Sequence, residues 1–250
     1  MKSKLIALAL FAFTSATVAL LPAYQSVGGV TPADPPFVNP VTHDRSRIDV
    51  VFVLDTTGSM SGLIQAAKEK IWSIATTMAS AQSAPEIRMG LVAYRDRGDA
   101  YVTRVVDLSS DLDSMYATLM EFQANGGGDG PESVNQALHE AINNISWSQD
   151  SQTYRVVFLV GDAPPHMDYQ DDIKYPVTLG VAKQKGIVVN AIQSGQVGST
   201  TPAWQQIARL GDGHYFQVEQ AGNAVAIATP FDEKIAELSA KTVSYTHLRA

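Results

Sequence analysis

The chain of 250 residues carries a formal net charge of −7, with 45% hydrophobic residues, 17% charged residues and no cysteine. That balance belongs to a folded globular chain rather than a disordered one; a chain of this length buries enough surface to fold without a cross-link, and a disulfide is excluded outright. An acidic surface without a cluster of Lys and Arg argues against the phosphate backbone of a nucleic acid as a partner.

Lys2 and Lys4 precede an apolar run over residues 5–21, and small and polar residues follow, with a cleavage point near Ala23. Residues 1–23 therefore read as a signal peptide, which implies a secreted or periplasmic protein. The run is at the lower limit for crossing a bilayer and contains Thr14, Ser15 and Thr17. No second apolar run of spanning length follows, so no membrane span is expected in the mature chain. Pro32, Pro35, Pro36 and Pro40 mark residues 24–46 as an extended linker.

From Ile48 the pattern changes. Residues 48–54 form a nearly continuous apolar run, as expected of a strand buried on both faces. A polar loop over 55–61 leads into a helix whose stripe is Leu63, Ala67, Ile71, Ile74 and Met78. Residues 87–94 and 101–108 read as a hairpin, and Leu112, Met115, Tyr116, Leu119 and Phe122 mark a second helix. A glycine-rich loop over 126–130 is followed by Pro131 and Glu132, which are expected to open a third helix with Val134, Ala137, Leu138, Ala141, Ile142 and Ile145 inward. A buried strand over 155–160, a helix over 176–185, a strand over 187–193, a helix over 202–210, a strand over 214–218 and a helix over 231–240 complete the series. This alternation predicts a doubly wound α/β fold: a mainly parallel, Rossmann-like sheet with helices on both faces. Residues 47–242 form the domain. Residues 243–250 end in Ser-Tyr-Thr-His-Leu-Arg-Ala, which resembles translated adapter sequence and reads as a non-native or truncated tail.

Sheets of this kind bind ligands outside the carboxyl ends of central strands. Asp55, Thr57 and Ser59 stand there at alternate positions of one loop, so a carboxylate and two hydroxyls are expected to converge. All are hard oxygen donors, suited to Mg²⁺, Mn²⁺ or Ca²⁺ rather than zinc. Gly58 is expected to let the loop turn tightly, and Ser61 to cap the helix that follows. Asp162, after the strand over 155–160, and Asp129, in the glycine-rich loop, are expected at the same edge. The competing account is a polar turn that caps a helix.

The Asp-x-Thr-x-Ser loop, the glycine-rich loop before a helix, and Gly161-Asp162 after a later strand resemble, in this order, the von Willebrand factor A domain and its metal-ion-dependent adhesion site. The resemblance implies one antiparallel edge strand, which the hairpin supplies. It implies that Thr57 and Ser59 bind a divalent ion directly and that Asp55 and Asp162 act directly or through water. It also implies adhesion, in which an acidic side chain of a protein partner completes the coordination. The chain departs from the adhesion pattern where a threonine usually stands: the loop offers Asp129, the favoured ligand, and Glu132, the weaker one. A third carboxylate makes the site net negative, which should retain metal more firmly and attract an acidic partner less.

Two other readings compete with a binding module. One is a Mg²⁺- or Mn²⁺-dependent hydrolase, but the glycine loop lacks the Gly-Lys-Ser/Thr of a phosphate loop and Asp55 has no second Asp two residues on. The other is a structural domain whose ion only stabilises the fold. His166 reads as a satisfied surface-loop histidine, since the five histidines lack zinc spacing. Arg97-Gly98-Asp99 reads as hairpin chemistry rather than a recognition tripeptide. Trp72, Trp147 and Trp204 read as packing residues.

Overall fold

A computed structural model describes residues 47–80, 85–128 and 130–218. The expected leader, linker, last helix and tail lie outside these residues, and so does Asp129.

Six strands form one sheet: β1 (Arg47–Asp55), β2 (Glu86–Tyr94), β3 (Thr103–Ser109), β4 (Thr153–Gly161), β5 (Ile187–Ser194) and β6 (Asp212–Val218). Their order is β3-β2-β1-β4-β5-β6. Every pairing is parallel except β2 with β3, so the one antiparallel strand sits at an edge, as the hairpin required. The helices are α1 (Ile64–Ala79), α2 (Leu112–Glu121), α3 (Val134–Asn143), α4 (Tyr175–Gln184) and α5 (Thr201–Leu210). None of them is long and apolar enough to cross a membrane.

β1 is central, and its alternation explains both cores. Val50, Phe52 and Leu54 pack with α1 and α2 residues such as Ile71, Met78 and Leu119, and Phe52 stacks on Phe158 of β4 with ring centroids 5.4 Å apart. Val51 and Val53 face the other way, toward Leu138 of α3, Leu179 of α4 and Trp204 of α5. A strand covered on both faces has no polar face to display, which is why its sequence is an unbroken apolar run. The tryptophans pack as expected: Trp204 is fully buried, Trp147 nearly so, and Trp72 lies against Tyr116.

Two helix starts differ from expectation. Ser61 does not cap α1. Residues Gly58–Gly62 form a 3-10 turn, and α1 begins only at Ile64, after Leu63, with no side-chain cap. Likewise α3 begins at Val134, so Glu132 does not sit in its first turn. Glu132 instead pairs in an isolated parallel bridge with Pro165, its N–H donating to the Pro164 carbonyl at 2.9 Å. That bridge turns the Glu132 side chain away from the helix end and into the protein, where only 2% of the residue is exposed.

Candidate metal centre

The parallel register of β1 and β4 brings their carboxyl ends side by side, and two loops leave the sheet there. Asp55, the last residue of β1, is fully buried. Its Oδ1 accepts from the Thr57 amide at 2.9 Å and from the Thr57 hydroxyl at 2.6 Å. The Thr57 and Ser59 hydroxyls are 3.1 Å apart, and Ser59 donates to Asp162 Oδ1 at 2.9 Å. Asp55, Thr57, Ser59 and Asp162 are thus joined in one chain of oxygens, in which Ser59 is the exposed member.

The glycine-rich loop closes over this chain. The Gly58 amide donates to the Gly126 carbonyl at 2.9 Å and the Asn125 amide to the Thr56 carbonyl at 3.0 Å. Gly58 is needed for this approach and not for a left-handed turn: a Cβ there would lie 2.7 Å from the Gly126 oxygen. At Gly127 both constraints apply. Its φ is +75°, and a Cβ would lie 3.2 Å from Glu132 Oε1 and 3.3 Å from Thr57 Cβ. Glu132 therefore reaches the side of Thr57. Asp129 falls outside the described residues, so of the two acids in this loop only Glu132 is seen against the site.

The electrostatics of the site are those of crowded anions. Burial pushes the Asp55 carboxyl up to about 7, and the neighbouring Asp162 charge adds to this against the lowering effect of the Thr57 hydrogen bonds. Burial pushes Glu132 up to about 9, reinforced by Asp55, Asp96 and Asp99. Asp162 is raised by burial, against the lowering bond from Ser59. Asp55 Oδ2 and Glu132 Oε2 are buried with no hydrogen-bond partner among the described residues. Leaving such acceptors unsatisfied costs about 1–3 kcal/mol each. A hard divalent cation would answer both the orphaned oxygens and the repulsion. Among the described residues, no three His, Asp or Glu side chains form a metal-holding cluster by themselves. The hydroxyls of Thr57 and Ser59 would have to complete any coordination.

The surrounding residues were not singled out by their spacing. Tyr94, the last residue of β2, is fully buried, and its hydroxyl is pushed well above its usual range by burial and then by the charges of Asp55, Asp162 and Glu132. Arg95 donates to the Thr56 carbonyl at 3.1 Å and the Gln123 carbonyl at 3.0 Å while its guanidinium lies over Tyr101, whose hydroxyl meets Thr56 at 2.8 Å. Behind Asp162, Thr200 donates to its carbonyl at 2.8 Å, and the Trp204 indole to the Ala163 carbonyl at 3.0 Å. Their only sequence signal was a position at or after a strand end.

His166 is buried, not on the surface. Its Nδ1 lies 2.7 Å from Asp168, its Nε2 3.3 Å from Asp96 and 3.1 Å from the Tyr169 hydroxyl, and its ring stacks on Tyr169. Ser133 also donates to Asp96, and the His166 amide donates to the Glu132 carbonyl. This network fixes the strap that positions Glu132. Arg97-Gly98-Asp99 is committed internally: Arg97 pairs with Asp171 at 2.8 Å and covers Tyr169, while Asp99 accepts from the Asp96 and Gly127 amides.

Comparison with known proteins gives a consistent result. The chain is 31% identical over 121 residues to the alpha-protein kinase vwkA of Dictyostelium discoideum, a match that covers 48% of this chain and 19% of that protein. It is 36% identical over 114 residues to von Willebrand factor A domain-containing protein 7 of Rattus norvegicus, covering 46% of this chain and 12% of that protein. The chain thus matches less than a fifth of the length of either relative. The crystal structure of the SpRpn10 VWA domain superposes with a TM-score of 0.54 at 13% identity, covering 70% of this chain and 89% of that one, a likeness of fold. The family model for the von Willebrand factor A domain matches residues 49–229. The chain belongs to the von Willebrand factor A domain family, whose members generally mediate protein interactions.

Proposed function

We propose that this chain is an exported binding module that holds a divalent cation, Mg²⁺ or else Mn²⁺ or Ca²⁺, and uses it to engage a protein partner. Asp55, Thr57, Ser59 and Asp162 would hold the ion, with Asp129 or Glu132 contributing from the glycine-rich loop. The observation that carries this reading is the pair of buried, unpartnered carboxylate oxygens of Asp55 and Glu132 beside two converged hydroxyls. A bound ion would supply a Lewis-acidic point that an acidic side chain of the partner can complete. Ser59, the exposed member of the oxygen chain, marks the side from which a partner would approach. Export rests on Lys2, Lys4 and the apolar run that follows them.

A binding role is preferred over hydrolysis because members of this family generally mediate protein interactions. The Thr57 and Ser59 hydroxyls are bonded to Asp55 and Asp162, the acids proposed to hold the ion, and His166 is buried against Asp96 and Asp168. The test is to melt the full chain, and to recover partners from native culture, in Mg²⁺ and after chelation. Metal is expected to raise the melting temperature and to be required for partner recovery. If chelation changes neither, the reading fails. A metal-dependent melt with metal-independent recovery would assign the ion a purely structural role.

A further inference from the structure

The pole of the sheet opposite the candidate metal centre carries a second feature. A cavity of about 460 Å³ lies between the C-terminal ends of α3 and α4 and the start of β4. That volume is in the range of small-molecule sites, about 300–1,000 Å³. Asn143, Trp147, Gln149, Arg155, Gln184 and Lys185 contribute to its wall, and no acidic residue does.

The two cations there are not neutralised. Arg155 Nη1 donates to the carbonyls of Ser148 and Asp150, each at 2.8 Å, while its Nε is buried without a partner among the described residues. Lys185 donates to the Ile142 carbonyl and to Asn143 Oδ1. Neither forms an ion pair among the described residues. Asp150, just before β4, and Asp49, the register partner of Arg155 on β1, are engaged by other groups. Asp150 accepts from the amides of Gln152 and Thr153 and from the Thr153 hydroxyl. Asp49 is held bidentately by Arg88 and also accepts from the Ser148 amide. Those same bonds pin the loop that forms one wall, so the cavity is preformed. In a chain of net charge −7, a basin lined by two uncompensated cations is a local reversal of sign. The carboxamides of Gln149 and Gln184 add groups that both donate and accept, as hydroxyls require.

We propose that this cavity binds a small polyhydroxylated anion, with Arg155 and Lys185 facing its carboxylate or phosphate and the carboxamides meeting its hydroxyls. The site is independent of any ion at the opposite pole. The test is titration of metal-depleted full chain with glucuronate, glucose 6-phosphate and glucose, followed through the indole N–H signal of Trp147 and by calorimetry. At least one of the two anions is expected to bind and to shift that signal, with glucose roughly tenfold weaker or more. Which anion binds separates the carboxylate from the phosphate form. Gln184→Glu places a carboxylate on the wall at an exposed helix position and is expected to weaken the anion roughly tenfold at unchanged melting temperature. Lys185→Gln provides a second variant with the same expectation for binding. Glucose binding as tightly as the anions, no binding by either anion, or affinity unchanged in both variants would each overturn the proposal.

Discussion

The Ser59 hydroxyl donates to Asp162 at 2.9 Å although 103 residues separate the two in sequence. This bond spans the loops that leave β1 and β4. It closes the chain of oxygens on which the proposed metal site depends.

The metal-free protein should lose stability as pH rises. Asp55 titrates near 7 in the fold against an ordinary 3.8, and Asp162 is shifted in the same direction, both first by burial. A carboxyl whose folded pKa is raised contributes stability that is complete below about pH 4 and is lost as pH rises through the folded value. Metal competes with those protons, so its stabilising effect grows over the same window. Melting curves at pH 5, 6, 7 and 8, with Mg²⁺ and without, should give a metal-induced shift that increases with pH. A shift largest at pH 5 contradicts the proposed carboxylate ligands.

Glu132→Gln should separate fold stability from metal response. The substitution removes a buried acid held near pKa 9 by burial and by Asp55, Asp96 and Asp99. Above pH 7 the metal-free variant should melt at or above the wild-type temperature, because glutamine is buried without having to take up a proton. Its Mg²⁺-induced shift should shrink. A full metal response in Glu132→Gln would transfer the third-loop role to Asp129. Asp129→Thr is then expected to bind an acidic partner more tightly than wild type, and weaker binding would count against the extra-carboxylate argument.

Gly127→Ala should be costly. The residue has φ of +75°, and the added Cβ would press on Glu132 Oε1 and Thr57 Cβ. Strain of this kind costs about 1–3 kcal/mol, and the displaced groups are the proposed ligands. Chemical denaturation should show the loss in stability, and calorimetry with Mn²⁺ a weaker affinity. Wild-type values for both would mean that the loop relaxes freely.

His166→Phe tests the strap beneath Glu132. Phenylalanine preserves the stack on Tyr169 but removes the ring nitrogens that meet Asp96 and Asp168. Disturbing buried polar partners costs about 1–3 kcal/mol. The melting temperature should fall while the Mg²⁺-induced shift persists in reduced form, because His166 positions Glu132 only through the backbone. Complete loss of the metal response with a native melt would place His166 in the site itself.

Asp99→Ala should act through the glycine-rich loop rather than through recognition. Its carboxylate holds the Gly127 amide at 2.9 Å and 3.1 Å, so the variant should weaken metal binding. Receptors that read Arg-Gly-Asp should not bind the wild-type chain, since Arg97 and Asp99 are already engaged. Capture of the chain by such a receptor would show that this loop opens.

The alternation of apolar runs and helical stripes is enough to place every strand and every α-helix among the described residues, though not the 3-10 turn after Asp55, and to assign a mainly parallel sheet. The reason is local: a strand buried on both faces must be apolar throughout, and an amphipathic helix must repeat near 3.6. The same logic placed Asp55, Thr57, Ser59 and Asp162 at strand ends, where such sheets gather ligands. The starts of α1 and α3 depart from the local signals at Ser61 and Glu132, because cap residues follow local preference and both loops obey longer-range bonds. The 3-10 turn after Asp55 displaced the first, and the bridge to Pro165 displaced the second. Only the tertiary structure decided that Glu132 faces Thr57, that His166 is buried among acids, and that Tyr94 and Arg95 surround the site. These placements depend on register and on pairings across tens of residues, and one chain read linearly carries no periodic signal for them.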